Sequence, residues 1–142
     1  MPEARVSRLG QDSARQRGSA SKLRDAVHNG DVDILIGTQI VAKGHAFKNV
    51  GLVVVLNTDP QLFSSDYRAR ERLFSVLMQV SGMAGRDKTE GKVLIQTRYT
   101  EDDIFKHLKA QDYEGFAAGE LEARRASFMV PFSAQALLVA EG

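Results

Sequence analysis

Apolar residues along the chain form short continuous runs that alternate with stretches of helical spacing. The runs 34–36 and 52–56 are rich in β-branched residues and lack the apolar-polar alternation of a half-exposed strand. This pattern predicts strands that are buried on both faces, as in parallel sheets. Residues 4–8 and 93–95 predict two more strands, the second of them introduced by Gly91.

Helical spacing occupies most of the intervening chain. A helix is expected from Ser21 to a polar stop at residues 28–30, where Gly30 suits the position just past a helix end. Residues 66–84 form the longest helical candidate, and Thr100 with the acids that follow it predicts the N-cap of another helix. A further helix is expected over 112–126, and residues 136–140 predict a last strand.

The predicted order is strand, helix, strand, strand, helix, strand, helix. Such an order is typical of an open α/β fold, in which a mainly parallel sheet is flanked by helices. In the candidate helix 66–84, apolar and polar side chains fall on different sides. The apolar positions are Leu73, Leu77, Val80 and Ala84, and the polar ones are Arg68, Arg72, Gln79 and Arg86.

Composition narrows the class of protein. The chain has 142 residues, 43% of them hydrophobic and 26% charged, which is typical of a globular domain. It contains no cysteine, and its three histidines are too scattered for a usual zinc site, so no metal centre is predicted. No apolar run is long enough to span a membrane and no signal segment opens the chain, so we expect a cytoplasmic protein.

The net charge of +1 conceals two segments of opposite sign. Residues 1–100 carry fifteen Lys and Arg against ten Asp and Glu, a net charge of +5. Residues 101–142 carry four against eight, a net charge of −4. The difference weakly favours an anionic partner for the first segment, since solvated helix faces produce similar excursions.

The loop after the strand 34–36 is the first candidate site, because ligands of open parallel sheets bind beyond the carboxyl ends of strands. Its glycines allow close approach of a ligand, and its hydroxyl, amide and ammonium groups suit a phosphate. The candidates are Thr38, Gln39, Lys43, Gly44 and His45. An ordinary turn with a solvated lysine explains the same residues equally well.

The end of the long helix is the second candidate site. Arg86 could hold a phosphate in bidentate fashion, and Gln79 lies two helical turns before it. A helix C-cap at Gly85, with Arg86 against the negative helix end, is the simpler explanation. That explanation leaves Gln79 and Gly82 unaccounted for.

The chain has no complete nucleotide site of its own. No G-x-x-x-x-G-K-[ST] phosphate loop occurs, because Gly91-Lys92 is followed by Val93 and lacks the upstream glycine. No apolar strand ends in an Asp-Glu pair for magnesium, and no spacing supports a Ser-His-Asp triad. These absences disfavour an α/β enzyme that binds a small nucleotide by itself.

Three strings carry a resemblance to a known family. They read ILIGTQIVAKGHAFKNVGLVVVLNTD from Ile34, LFSSDYRARERLF from Leu62 and QVSGMAGR from Gln79. They resemble motifs five and six of superfamily-two DNA helicases, and in their detailed sequence they are similar to the primosomal protein N′ (PriA) branch. Similarity extends from about Pro2 to Pro131-Phe132.

The resemblance implies a fold and a domain plan. Residues 1–111 would form the second RecA-like helicase lobe, and residues 112–142 a connecting helix and the beginning of a C-terminal domain. A first RecA-like lobe, absent from this chain, would bind ATP and magnesium, and its phosphate loop would account for the missing one here. Single-stranded or forked DNA and primosome proteins are the partners implied.

The resemblance also implies roles for individual residues. Thr38 and Gln39 would contact the backbone of single-stranded DNA, with Lys43 as an added contact. Gly44 and His45 would face the nucleotide. Two catalytic residues would reach the ATP phosphates across the cleft between the lobes, namely Gln79 and Arg86, the second as an arginine finger.

One position departs from the family pattern Q-x-x-G-R-A-G-R, because Met83 stands where its first arginine belongs. Two functions therefore remain open. In the first, the chain is part of an ATP-dependent DNA helicase and is inactive alone. In the second, it is a non-catalytic nucleic-acid-binding or primosome-interaction module that has lost ATP hydrolysis.

Overall fold

The computed structural model describes residues 3–9, 19–38, 47, 49–84, 90–136 and 138–140. The chain divides into two compact units, residues 1–98 and 99–142. The first unit contains β1 (Val6–Leu9), α1 (Ser19–His28), β2 (Ile34–Gly37), β3 (Leu52–Val55), α2 (Asp59–Leu62), α3 (Ala69–Ser81) and β4 (Lys92–Ile95). The second contains α4 (Asp103–Ala110) and α5 (Tyr113–Ala126). The α/β class predicted from the sequence is confirmed.

The first strand pair joins β1 and β2 in parallel, with Val6 opposite Ile34 and Leu9 opposite Gly37. Helix α1 connects the two strands, as parallel pairing requires a crossover. Gly30 ends the helix with φ of 77°, in the left-handed region that glycine adopts without strain. The predicted helix stop at residues 28–30 is therefore confirmed.

Arg5 holds the start of β1 against the start of β2. Its guanidinium donates from Nε and a terminal nitrogen to the two carboxylate oxygens of Asp33, each at 3.0 Å. The Arg5 amide donates to the same carboxylate at 2.8 Å, and its guanidinium also donates to the carbonyl oxygen of Gly30. The hydrogen bonds from the Arg5 side chain, then from its amide, lower the pKa of Asp33 to about 2.

We expect this ion pair to make stability depend on acid pH. Because the folded pKa of Asp33 lies below its ordinary value, its stabilisation is fully present above about pH 4 and is lost as the pH falls through about 2. The urea midpoint of wild type should exceed that of Asp33→Asn at neutral pH, and the difference should shrink between pH 4 and 2. Asp25→Asn, an exposed change of the same charge, is the control. A difference that persists unchanged to pH 2 would contradict the assignment.

The second strand pair joins β3 and β4 in parallel, with Leu52 opposite Lys92 and Val55 opposite Ile95. Helix α3 supplies most of the core of this unit through one side. The buried side chains of this core in α2 and α3 are Leu62, Ala69, Leu73, Phe74, Leu77 and Val80. Among them Leu73, Leu77 and Val80 are spaced by four and three residues and reproduce the apolar side predicted from the sequence, to which the structure adds Phe74.

Each strand pair has one covered and one exposed face. In the second pair, Val53 and Val55 are half-buried, whereas Leu52 and Val54 are 54% and 51% exposed. In the first pair, Ile34 and its neighbours on the same face are also exposed. The expectation of strands buried on both faces is therefore wrong for this chain. Within the described residues, the side chains on one face of each strand pair are half-buried, whereas those on the other face stay exposed.

The second unit is a pair of contacting helices with its own core, formed by Ile104, Phe105, Leu108 and Phe116. Asp102 caps α4 by accepting from the amide of Ile104 at 3.0 Å, so the N-cap predicted at Thr100 is wrong by two residues. Thr100 lies two residues too early because the helix begins only at Asp103.

Asp112 joins α4 to α5. Its Oδ1 accepts from the amide of Gly115 at 2.8 Å, and its Oδ2 lies 3.1 Å from Nδ1 of His107. A Cβ at residue 115 would overlap the Asp112 carboxylate, so the cap requires glycine there. The amide of Gly115, then the side chain of His107, lower the pKa of Asp112. The predicted helix 112–126 is confirmed.

The chain beyond α5 differs from its prediction. The described residues of the segment 136–140 are not in a strand, because no neighbouring strand pairs with them. The domain boundary expected after residue 111 stays a prediction, and the structural units divide at residues 98 and 99. No helix in the described parts of the chain is long and apolar enough to cross a bilayer.

Candidate functional site

Polar residues tie together the carboxyl ends of β3 and β4. Thr58, which is 1% exposed, donates from Oγ1 to the carbonyl oxygen of Gln96 at 2.9 Å. Thr97 Oγ1 donates to Asp59 Oδ1 at 2.6 Å, and the amide of Arg98 donates to Asp59 Oδ2 at 3.1 Å. Both oxygens of the Asp59 carboxylate are thus engaged by the loop after β4. The cluster fixes the edge of the sheet where ligands of parallel sheets bind.

This cluster is not among the sites predicted from the sequence, although the sequence contains a pattern that indicates it. Thr58 and Asp59 follow one apolar strand, and Gln96 and Thr97 follow the next. Polar residues at equivalent points after two neighbouring parallel strands are expected to meet at one edge. The register of β3 against β4, which the sequence does not give, decides which of them pair.

Replacing the buried hydroxyl should weaken this edge. Thr58→Val keeps the side-chain shape but removes the hydrogen bond to Gln96, which costs about 0.5–1.5 kcal/mol of unfolding free energy. Urea denaturation of the 142-residue chain measures the loss. Thr100→Val, at an exposed position, is the matched control and should change stability by less than about 0.5 kcal/mol. An equal loss in both variants would contradict a specific role for Thr58.

The first candidate loop begins at the carboxyl end of β2. Thr38 follows the strand directly and is exposed, so its hydroxyl is accessible at the sheet edge. The other four candidates of this loop lie outside the described residues, namely Gln39, Lys43, Gly44 and His45. Their predicted roles stay predictions.

The second candidate lies at the last turn of α3. Gln79 is exposed on the side opposite the buried Leu77 and Val80. Gly82 caps the helix with its amide near the carbonyl oxygens of Met78 and Val80, so the C-cap lies three residues before Gly85, where the sequence placed it. A Cβ at residue 82 would make only ordinary contacts, so the helix end does not require glycine for space.

Met83 follows this cap. Its side chain is half-buried, and its amide donates to the carbonyl oxygen of Val80 at 3.1 Å. Arg86 lies outside the described residues, so its role beside Gln79 stays a prediction. Of the predicted site residues, the structure describes Thr38 and Gln79, and both are exposed.

Exposed polar residues continue from Gln79 along α3. Ser75 and Arg72 lie on the same side, and Arg68 precedes them by one turn. From Arg68 to Gln79 this polar stripe covers about 16 Å at 1.5 Å per residue. The predicted polar side of the helix is thus confirmed for its described members.

The described residues do not form a magnesium site. They contain no group of three or more acidic or histidine side chains arranged to hold a metal ion. Asp59, the acid at the sheet edge, already accepts two hydrogen bonds. Thr38 and Gln79 each present an exposed hydrogen-bonding group, which suits an oxygen-rich ligand.

Comparison with known proteins identifies relatives over almost the whole chain. A Haemophilus influenzae protein named replication restart protein PriA is 41% identical over 140 residues, which are 99% of this chain and 19% of the relative. The PriA proteins of Rickettsia conorii and Bacillus subtilis are 40% and 41% identical over 141 and 138 residues. These matches cover 99% and 97% of this chain, and 22% and 17% of the relatives. No protein-family model matches the chain.

The chain spans about one fifth of the length of these curated relatives. The fold agrees with this assignment, since short parallel strand pairs flanked by helices are consistent with a fragment of a RecA-like lobe. The resemblance noted in the helicase-like strings is confirmed at the level of the family. Over almost its whole length the chain is therefore similar to one segment of the replication restart proteins named PriA.

Proposed function

We propose that this chain is part of an ATP-dependent DNA helicase of the replication-restart primosome. In this proposal it supplies Gln79 and the arginine finger Arg86 to an ATP site. A first RecA-like lobe supplies the binding site for ATP and magnesium. Thr38, Gln39 and Lys43 contact single-stranded DNA, and Gly44 and His45 face the nucleotide. Lobe closure and opening, coupled to hydrolysis, would separate the strands of forked DNA.

The position of Gln79 is the observation that carries this proposal. Leu73, Leu77 and Val80 anchor α3 in the core, and Gln79 projects from the opposite, exposed side at the last helical turn. A rigid helix end of this kind can hold an amide and, beyond it, an arginine against phosphate oxygens of a facing lobe. Because Gln79 lies outside the core, its side chain does not weaken core packing, and its amide can contact a ligand.

The split site makes a direct prediction for the isolated chain. The purified 142 residues should hydrolyse no ATP, with or without DNA, because the proposal assigns ATP and magnesium binding to another lobe. The measurement is phosphate release, compared with a full-length protein that carries this chain. DNA-stimulated hydrolysis by the full-length protein supports the proposal. Turnover by the isolated chain, free of contaminating ATPase, would overturn the split site.

A second function is favoured by one residue. Met83 places a half-buried thioether where the family pattern has an arginine, and a thioether cannot donate to a phosphate. If that arginine shares the work of the finger, the full-length protein hydrolyses ATP poorly. The chain would then serve as a nucleic-acid-binding or primosome-interaction module without catalysis.

The two functions differ in the response to Met83→Arg in the full-length protein. A non-catalytic module should show little DNA-stimulated hydrolysis in wild type and a large rise in the variant. A working helicase should show robust rates in both. Met83→Leu, which keeps an apolar side chain of similar volume, is the control and should leave the rate unchanged.

A further inference from the structure

The turn between α2 and α3 carries cationic and aromatic side chains that the proposed ATP and DNA contacts do not use. We define the α2–α3 patch as Phe63, Tyr67, Arg68 and Arg72. Phe63 ends α2 and is 62% exposed. The four residues lie within one ten-residue stretch that ends α2, forms the turn and begins α3.

Hydrogen bonds hold this turn in one conformation. The amide of Asp66 donates to Ser64 Oγ at 3.2 Å, and Asp66 Oδ1 accepts from the amide of Arg68 at 2.9 Å. Asp66 Oδ2 accepts from the guanidinium of Arg72 at 2.8 Å. The amide of Arg68, then the charge of Arg72, lower the pKa of Asp66, so its carboxylate stays ionised at neutral pH. The patch is therefore preorganised.

The two arginines have different surroundings. Arg72 is paired with Asp66, although its side chain is 62% exposed. The guanidinium of Arg68 instead lies over the ring of Tyr67, 5.2 Å from its centroid. A ring that stacks on a guanidinium contacts its flat face, so the N–H donors at its edge can still bind an anion. A carboxylate partner instead occupies those donors. Arg68 is thus the stronger candidate for binding a phosphate.

We infer that the α2–α3 patch is an additional binding site for single-stranded nucleic acid. An exposed ring and guanidinium groups on one short, hydrogen-bonded segment are a combination that suits a single strand without sequence preference, because every base has a face that can stack and every nucleotide a phosphate. Phe63 stacks on a base, and Arg68 binds a neighbouring phosphate. Gln79 lies about 16 Å along α3 from Arg68 at 1.5 Å per residue, and no residue of the patch is among the proposed ATP contacts.

This inference rests on the proposed DNA-binding function and is tested on the 142-residue chain, without ATP. The measurement is fluorescence anisotropy of a labelled oligothymidine across a series of salt concentrations. Phe63→Ala should lower the affinity by about fivefold or more. Arg68→Gln should reduce the slope of log affinity against log salt by about 0.7, the value for one phosphate contact on a single strand. Lys22→Gln, an exposed change of the same charge in α1, should alter neither.

A variant expected to bind more tightly protects the test against folding defects. Asp66→Asn removes a negative charge and releases Arg72, while its side-chain oxygen can still accept from the amide of Arg68. It should raise the affinity by up to about fivefold. A misfolded variant has no reason to gain affinity, so this rise supports the patch independently.

Three results would overturn the inference. They are unchanged DNA affinity in Phe63→Ala and Arg68→Gln, no binding of the oligothymidine by the wild-type chain at low salt, and weaker binding by Asp66→Asn. If the same variants instead change the binding of a polyglutamate peptide, the patch docks an acidic protein segment. The DNA-stimulated ATPase of the wild-type full-length protein tests the proposed function separately.

Discussion

Arg86→Ala in a full-length protein that carries this chain is expected to lower DNA-stimulated ATP hydrolysis by about 10³- to 10⁵-fold. A guanidinium against the transferred phosphate stabilises the charge of the transition state, and its loss raises the barrier by about 4–7 kcal/mol. Steady-state phosphate release measures the rate. The affinity for a non-hydrolysable ATP analogue should fall far less, because the finger acts mainly in the transition state.

Two comparisons make this experiment specific. Arg86→Lys keeps the charge but not the bidentate fork, so most of the rate should still be lost. Lys109→Ala, at an exposed position of α4, should leave the rate unchanged. The series is repeated in the Met83→Arg background, which ensures a measurable rate if wild type hydrolyses poorly. A fall of less than tenfold in both backgrounds would show that Arg86 is not the finger.

Phe74→Ala should destabilise the 142-residue chain by about 3–5 kcal/mol. The ring is fully buried in the core of the first unit, and alanine leaves both lost apolar contact and a cavity. The loss is a large part of the roughly 5–15 kcal/mol that holds a typical domain folded. Urea denaturation, followed by circular dichroism, measures it.

The neighbouring Ser75 gives a matched control for this substitution. Ser75 is exposed on the same helix, so Ser75→Ala should change the unfolding free energy by less than about 0.5 kcal/mol. Comparable losses in the two variants would mean that α3 does not anchor the core through the side that contains Phe74.

The elements could be predicted from the sequence where one local signal decides them. The apolar spacing of Leu73, Leu77 and Val80 predicts the buried side of α3, and Gly30 predicts the end of α1. The short helix α2 was missed because its four residues are too few for periodicity to develop. The exposed sheet faces were missed for a different reason. A continuous apolar run indicates that both faces of a strand favour apolar contacts. It does not indicate whether this chain supplies those contacts.

The site could be predicted only in part. Exposure of Gln79 follows from its place opposite the apolar side of α3, which periodicity shows. The bonds of Asp59 to Thr97 and Arg98 depend on the register of two strands forty residues apart, which no local pattern contains. The Arg68–Tyr67 stacking depends on the turn that Ser64 and Asp66 close.

The half-covered strand pairs also affect how mutations in this chain should be interpreted. A polar residue at Val54 or Leu94, whose side chains are 51% and 55% exposed, removes little buried surface within these 142 residues. Tolerance of such changes therefore depends on whatever surrounds the chain, and not on its own stability. Sequence variation at Val54 and Leu94 should therefore reflect what packs against these exposed faces. Variation at Phe74 should instead reflect the stability of the chain's own fold.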